Sequence, residues 1–270
     1  MFEKLVQNDP ALAADLFADH EAQYNLIHFI AGSEGSTCLK TSDGRLIYAQ
    51  SRGHNGWLWI SADMTLDEKE NMITRLVEHL NGDSLPGING EPELVKRFAQ
   101  VYTERHNQQY QTDMVMEAYI CPHVQRPPHV SGQISQAVRQ DADTVARFLA
   151  GFAEDAYGVK TNSESQGAAA QELIHAGHLL LWMNEGTAVS MANIAHRSPR
   201  HGRINAVYTP PHARKKGYAS AIVAELCSRL LDEGLVPMLY ADVRNPDSNK
   251  VYRQIGFMEA GQIAEIGFHQ

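Results

Sequence analysis

The stretch Arg203–Phe257, RINAVYTPPHARKKGYASAIVAELCSRLLDEGLVPMLYADVRNPDSNKVYRQIGF, limits what this chain can fold into more than any other. Gly202–Thr209 reads as a strand, and Pro210-Pro211 ends its pairing. Gly217–Asp232 puts Ala219, Ile222, Val223, Leu226 and Leu230 on one helical face, and Val236–Val243 returns as a second strand. Asp247–Ile255 is a short helix closed by Gly256-Phe257. A strand that feeds a helix through a basic, glycine-containing turn makes an anion cradle, because the first helical N–H groups have no intrahelical acceptor. The first ligand to expect is therefore one that carries phosphate.

Charge supports a local reading over a global one. The 270-residue chain has a net charge of −9, which argues against a nucleic-acid binder. Between His196 and Lys216, however, lie Arg197, Arg200, Arg203, Arg214, Lys215 and Lys216, with no acidic residue among them. That stretch is either a solvated basic face or, beside the helix start, a polyanion site. Hydrophobic content of 43% suits packed cores, and no apolar run is long enough to span a membrane. Three dispersed cysteines and the lack of a secretory start point to a cytoplasmic protein. His175 and His178 have no Glu or Cys at ligand spacing, so no metal is expected.

The prolines and glycine of Cys121–Gly132 divide the chain into residues 1–130 and 131–270. In the first part Arg45–Gln50 and Trp57–Ile60 read as strands. Asp67–Leu80, stopping at Asn81-Gly82, and Glu91–Tyr102 read as amphipathic helices, and Met114–Ile120 as a closing strand. No catalytic spacing is visible there. The second part reads as strand Gln133–Arg139, helices Asp141–Gly151 and Glu164–Ala176, and strands His178–Asn184 and Thr187–Ala195. The Gly202–Ile255 elements follow, with a final pair of strand-like pieces over Phe257–Phe268. The order β-α-α-β-β-β-α-β-α-β gives an α/β (α+β) fold, a mixed sheet flanked by helices and preceded by a smaller α/β domain.

Residues 133–267 resemble the acetyl-CoA-binding core of the GNAT superfamily of N-acetyltransferases. Arg214-Lys215-Lys216-Gly217-Tyr218-Ala219 fits that family's R-x-x-G-x-A turn, with Lys215 where a second glycine is common. Asn245-Pro246-Asp247-Ser248-Asn249 leading to Val251-Tyr252 and Ile255-Gly256-Phe257 is the second signature. The resemblance implies coenzyme A, as acetyl-CoA, for the cofactor. Its pyrophosphate would meet Arg214, Lys215, Lys216, Gly217, Tyr218, Ala219 and Ser220. Val207, Tyr208 and Thr209 would pair with the pantetheine amides, Asn249 would contact that arm or the attacking region, and Asn245 would also line the cofactor. Tyr252 would protonate the departing thiolate, a fitting task for a group whose ordinary pKa is about 10.

The resemblance further implies direct transfer to a primary amine in a ternary complex, without a covalent cysteine. It leaves the general base open, because Asn205, Val207 and Thr209 stand where some relatives carry a strand Glu. Glu154 and His196 are the candidates named, beside Asp155 and His201. The expected partner is a small, cationic amine, with no nucleic acid or membrane and with a homodimer left open. Residues 1–130 are expected to be structural, to shape the acceptor side, or to be a degenerate copy of the same fold. The alternative activity is a non-catalytic CoA-binding or regulatory module.

Overall fold

Alternation, capping and glycine placement account for the elements of the computed structural model, which describes residues 1–81 and 85–270. In chain order they are β1 (Phe2–Lys4), α1 (Pro10–Ala13), α2 (Asp15–Ala18), α3 (Leu26–Ala31), β2 (Thr37–Thr41), β3 (Leu46–Gln50), β4 (Gly56–Ile60), α4 (Leu66–His79), β5 (Gly87–Gly90), α5 (Pro92–His106) and β6 (Gln109–Ile120). There follow β7 (Gln133–Gln136), α6 (Ala142–Tyr157), α7 (Gly167–Ala176), β8 (Leu179–Asn184), β9 (Thr187–Arg197), β10 (His201–Tyr208), α8 (Tyr218–Asp232), β11 (Val236–Asp242), α9 (Pro246–Ile255) and β12 (Met258–His269). Two compact units result. One is Met1–Ala118 with Asp242–Arg244 and Glu259–Gln270; the other is Tyr119–Ala241 with Asn245–Met258.

The first unit holds a mixed sheet in the order β1-β2-β3-β4-β5-β12-β6. Strands β4 and β5 run parallel, joined by α4, while the β1–β2, β2–β3, β3–β4 and β5–β12 pairs are antiparallel. Helix α4 begins with a capping box, in which Glu68 N donates to the Thr65 hydroxyl and Thr65 N donates to the Glu68 carboxylate. Its Ile73, Leu76 and Val77 bury against Leu46, Leu58, Ile88 and Phe98. The helix ends at His79, and Gly82 of the expected stop lies outside the described residues. The expected pair of strand-like pieces near the C-terminus is one strand, β12. Gly261 lies within it at φ +112, where an added Cβ would come within 2.8 Å of the Gln23 side chain. That glycine marks a close approach, not a break.

The second unit carries a mixed sheet ordered β11-β10-β9-β8-β7, with only β10–β11 parallel. Helix α8 makes the crossover between those two strands. Its Ile222, Val223, Leu226 and Leu230, with Tyr252 and Ile255 of α9, cover one face of the sheet at Leu180, Ala192, Ile194 and Ile204. Val145 and Phe148 of α6 and Ala170 of α7 cover the other face at Leu179, Leu181, Met191 and Tyr208. Cys227 is fully buried in the first of these clusters, and burial pushes its thiol well above the usual range. That thiol is a packing group.

Helix α6 runs past Gly151, where the sequence suggests a stop, on to Tyr157. A Cβ at Gly151 would lie 2.1 Å from the Tyr208 hydroxyl, so the glycine is a notch that seats the phenol. Alanine is the better helix former by about 1 kcal/mol. Nevertheless, Gly151→Ala is expected to lower stability by about 1–2 kcal/mol through overpacking, read by urea denaturation.

Candidate active site

Strands β10 and β11 pair in register only at His201↔Val236, Gly202↔Pro237 and Arg203↔Met238. Beyond that point β10 continues to Tyr208 and β11 to Asp242 without pairing, so the two strands part. A bulge accompanies the opening. Asn205 pairs with Asn193 and Tyr208 with Met191, and Ala206 between them takes φ +50. The extra residue leaves Val207 against the α8 core and Ala206 and Tyr208 against the α6 core. The Tyr208 carbonyl accepts from the Ser190 hydroxyl at 3.0 Å, and that hydroxyl also meets Thr209 Oγ1 at 2.8 Å. A parted, bulged strand has main-chain groups to offer an extended ligand.

At the end of β10, Pro210 and the turn Pro211–Ala213 lead to Arg214. Lys215 adopts φ +61 and Gly217 φ +83, so two residues of this short turn are left-handed. Gly217 caps α8 without a side-chain bond, and the first intrahelical bond is Ala221 N to the Gly217 carbonyl at 2.9 Å. The N–H groups of Tyr218, Ala219 and Ser220 precede that bond, and together with the turn they suit an anion. Lys215 tolerates a conformation that favours glycine.

The basic stretch around this turn divides its work. Arg197 is paired with Glu233, Nε to Oε2 at 2.6 Å. Arg214 donates Nε to the Thr209 carbonyl at 3.0 Å and forms an ion pair with Asp155 of α6. Its side chain thus ties the turn to β10 and α6. Lys215 and Lys216 are exposed and make no ion pair among the described residues. If their charge attracts the ligand, Lys215→Gly keeps the turn and removes one cation. Affinity for CoA, the ligand that the resemblance implies, is then expected to fall by about three- to ten-fold at low salt and to converge with wild type as salt rises, by titration calorimetry.

Helix α9 presents the second signature. Asn245 caps it, its Oδ1 accepting from Ser248 N at 3.1 Å, and Pro246 occupies the first turn. Asn249 points inward: its Nδ2 donates to the Asn245 carbonyl at 2.8 Å and its Oδ1 accepts from the Tyr119 hydroxyl at 3.1 Å. Tyr252 keeps 8% exposure, with Tyr119 and Phe257 at ring-centroid distances of 6.2 and 5.7 Å. Its hydroxyl has no hydrogen-bond partner among the described residues. Burial, and then the neighbouring Tyr119, push the phenol far above its usual range, so it stays protonated. Tyr119 has no signal in the sequence beyond its place in a strand.

The two base candidates lie on different elements. Glu154 is exposed on α6, where its charge reaches the Tyr208 phenol; burial first, and Asp155 second, raise that phenol's pKa. His196 on β9 pairs in register with Arg203 on β10. Asn205 supplies no carboxylate, and its Oδ1 accepts from Asn193 Nδ2 at 2.9 Å.

Residues 145–257 match the model of the acetyltransferase (GNAT) family. Among solved structures, the chain is similar to an acetyltransferase of that family from Colwellia psychrerythraea, with a TM-score of 0.58 and 11% identity, covering 100% of this chain and 99% of that one. It is also similar to a GCN5-related N-acetyltransferase from Sphaerobacter thermophilus, with a TM-score of 0.61 and 15% identity over 99% and 94% of the two chains. At such identities the likeness is one of fold. No curated protein matches the chain in sequence. The parted strands, the helix start without a side-chain cap and the match over residues 145–257 agree: the C-terminal half of this chain is similar to an acetyltransferase domain of the GNAT family.

Proposed function

We propose that this protein is an N-acyltransferase that moves an acetyl group from acetyl-CoA to the primary amine of a small molecule by direct attack. The observation that carries the reading is the end of β10–β11 pairing at Arg203 and Met238 beside an α8 start with no side-chain cap. The turn from Lys215 to Ser220 would hold the pyrophosphate through N–H groups, with Lys215 and Lys216 adding charge. Val207 and its neighbours on the parted edge would hold the pantetheine arm. Acetyl-CoA supplies the activated thioester.

The chain's own contributions are orientation and proton handling. The amine nitrogen bonds to the acyl carbon as the carbon–sulfur bond breaks. The amine proton leaves through water toward a base, for which Glu154 and His196 are the named residues. Tyr252 donates its proton to the departing sulfur. The site we propose works in the cytoplasm on a soluble amine; no helix among the described residues is long and apolar enough to cross a membrane.

The absence of a carboxylate at Asn205 favours one second reading, a CoA-binding module without turnover. Thiol release from acetyl-CoA with a panel of amines separates the two. Amine-dependent thiol release with a matching rise in N-acetyl product is expected. Tight CoA binding without amine-dependent release would select the second reading.

A further inference from the structure

We infer that the acceptor carries a carboxylate as well as its amine, and that the guanidinium of Arg203 holds that carboxylate. This rests on the N-acyltransferase reading above. Arg203 is the last residue of β10 still paired with β11, and so lies at the apex of the opening. Its Nε is shielded from solvent and has no hydrogen-bond partner, and no ion pair to its guanidinium exists among the described residues. Its Cζ stands 5.1 Å from the ring centroid of Tyr240. Burial lowers its pKa, opposed only by the phenols of Tyr240 and Tyr157, with no carboxylate contributing. A shielded donor left without an acceptor is costly, and a bound carboxylate would satisfy it.

The contrast with other arginines of this unit sharpens the point. Arg197 has Glu233, Arg214 has Asp155 and Arg126 has Glu225. Arg203 is half-buried and has none of these. Two residues on, Asn205 lies on the same side of the strand and is bonded to Asn193, whose Oδ1 is itself shielded and unpartnered. An orphan donor and an orphan acceptor on paired strands complement a molecule that offers a carboxylate and an amine. A phosphate dianion fits less well, because the aromatic and amide neighbours named add no second fixed cation.

The test uses the full chain loaded with CoA. Common L-amino acids, β-alanine and γ-aminobutyrate are titrated calorimetrically beside the matched amides and decarboxylated amines. At least one acid is expected to bind about 10- to 100-fold more tightly than its uncharged or decarboxylated counterpart. Arg203→Met should erase that preference and Arg203→Lys should restore part of it, with CoA affinity unchanged in both. Absence of carboxylate-dependent binding across the panel, or a preference that survives Arg203→Met, overturns the inference. Thiol release with the same compounds tests the reading beneath it. If an acid binds through Arg203 without turnover, the carboxylate site stands and acyl transfer falls. If amines lacking a carboxylate turn over as well as the acids, acyl transfer stands and the carboxylate site falls.

Discussion

Tyr252→Phe should lower kcat by about 10²- to 10³-fold while leaving KM for acetyl-CoA within about two-fold. The ring fills the same space beside Tyr119 and Phe257, so packing is preserved and only the hydroxyl is lost. Because that hydroxyl has no partner among the described residues, its removal leaves no buried group unpaired, and thermal stability should hold. The pH dependence has a definite sign. Burial raises the phenol's pKa, so its protonated form persists into alkaline solution. Any fall in wild-type activity with rising pH below about pH 10 must then come from another group, and the variant should show the same limb at lower amplitude. Steady-state kinetics across pH checks both statements. A variant with wild-type kcat would remove Tyr252 from the chemistry.

The second large effect is structural. Gly256 ends α9 at φ +106, and a Cβ there would stand 2.3 Å from the His123 carbonyl oxygen. The obstacle is backbone, so it cannot swing aside as a side chain can. The chain is fixed on both sides of this point: Gln125 N donates to the Ile255 carbonyl at 2.7 Å and Phe257 N to the Tyr252 carbonyl at 3.0 Å. Gly256→Ala is expected to cost about 3 kcal/mol, from left-handed strain and the forced displacement together. In a domain of this size that corresponds to a Tm drop of about 6–12 °C, read by calorimetry. Activity should fall with it even at low temperature, since α9 carries Tyr252. A Tm within about 2 °C of wild type would show that the turn has another conformation available.

Much of the second unit was legible because its signals are local. Pro210-Pro211 stops β10, Asn245 caps α9 through Ser248, and the apolar stripe of α8 matches its buried face. What was not legible depends on contacts far apart in sequence. Gly151 resembles a helix stop, and only the phenol of Tyr208 resting on it explains why α6 continues. The strand-like pieces over Phe257–Phe268 form one strand, and the Gln23 side chain that approaches Gly261 within it is distant in the chain. The short elements α1, α2 and α3 and strands β1, β2 and β5 lack a strong period, and tertiary packing decides them.

The site divides along the same line. Residue types and spacing single out the turn at Arg214–Ser220 as an anion cradle, whereas the Asn249–Tyr252 pair is picked out by the resemblance to the GNAT superfamily. Spacing does not reveal how charges are partnered. The six basic residues between His196 and Lys216 look alike in sequence, yet Arg197 and Arg214 are committed to carboxylates while Arg203 is left at the strand apex. Nor does spacing show Tyr119, whose hydroxyl fixes the Asn249 amide.

The most direct test of the central claim is a crystal structure of the full chain with CoA. The pyrophosphate is expected on the N–H groups of the turn before α8, the pantetheine arm along the parted edge of β10, and the Tyr252 hydroxyl within about 3.5 Å of the sulfur. Coenzyme A bound elsewhere, or a sulfur well beyond reach of Tyr252, would contradict it.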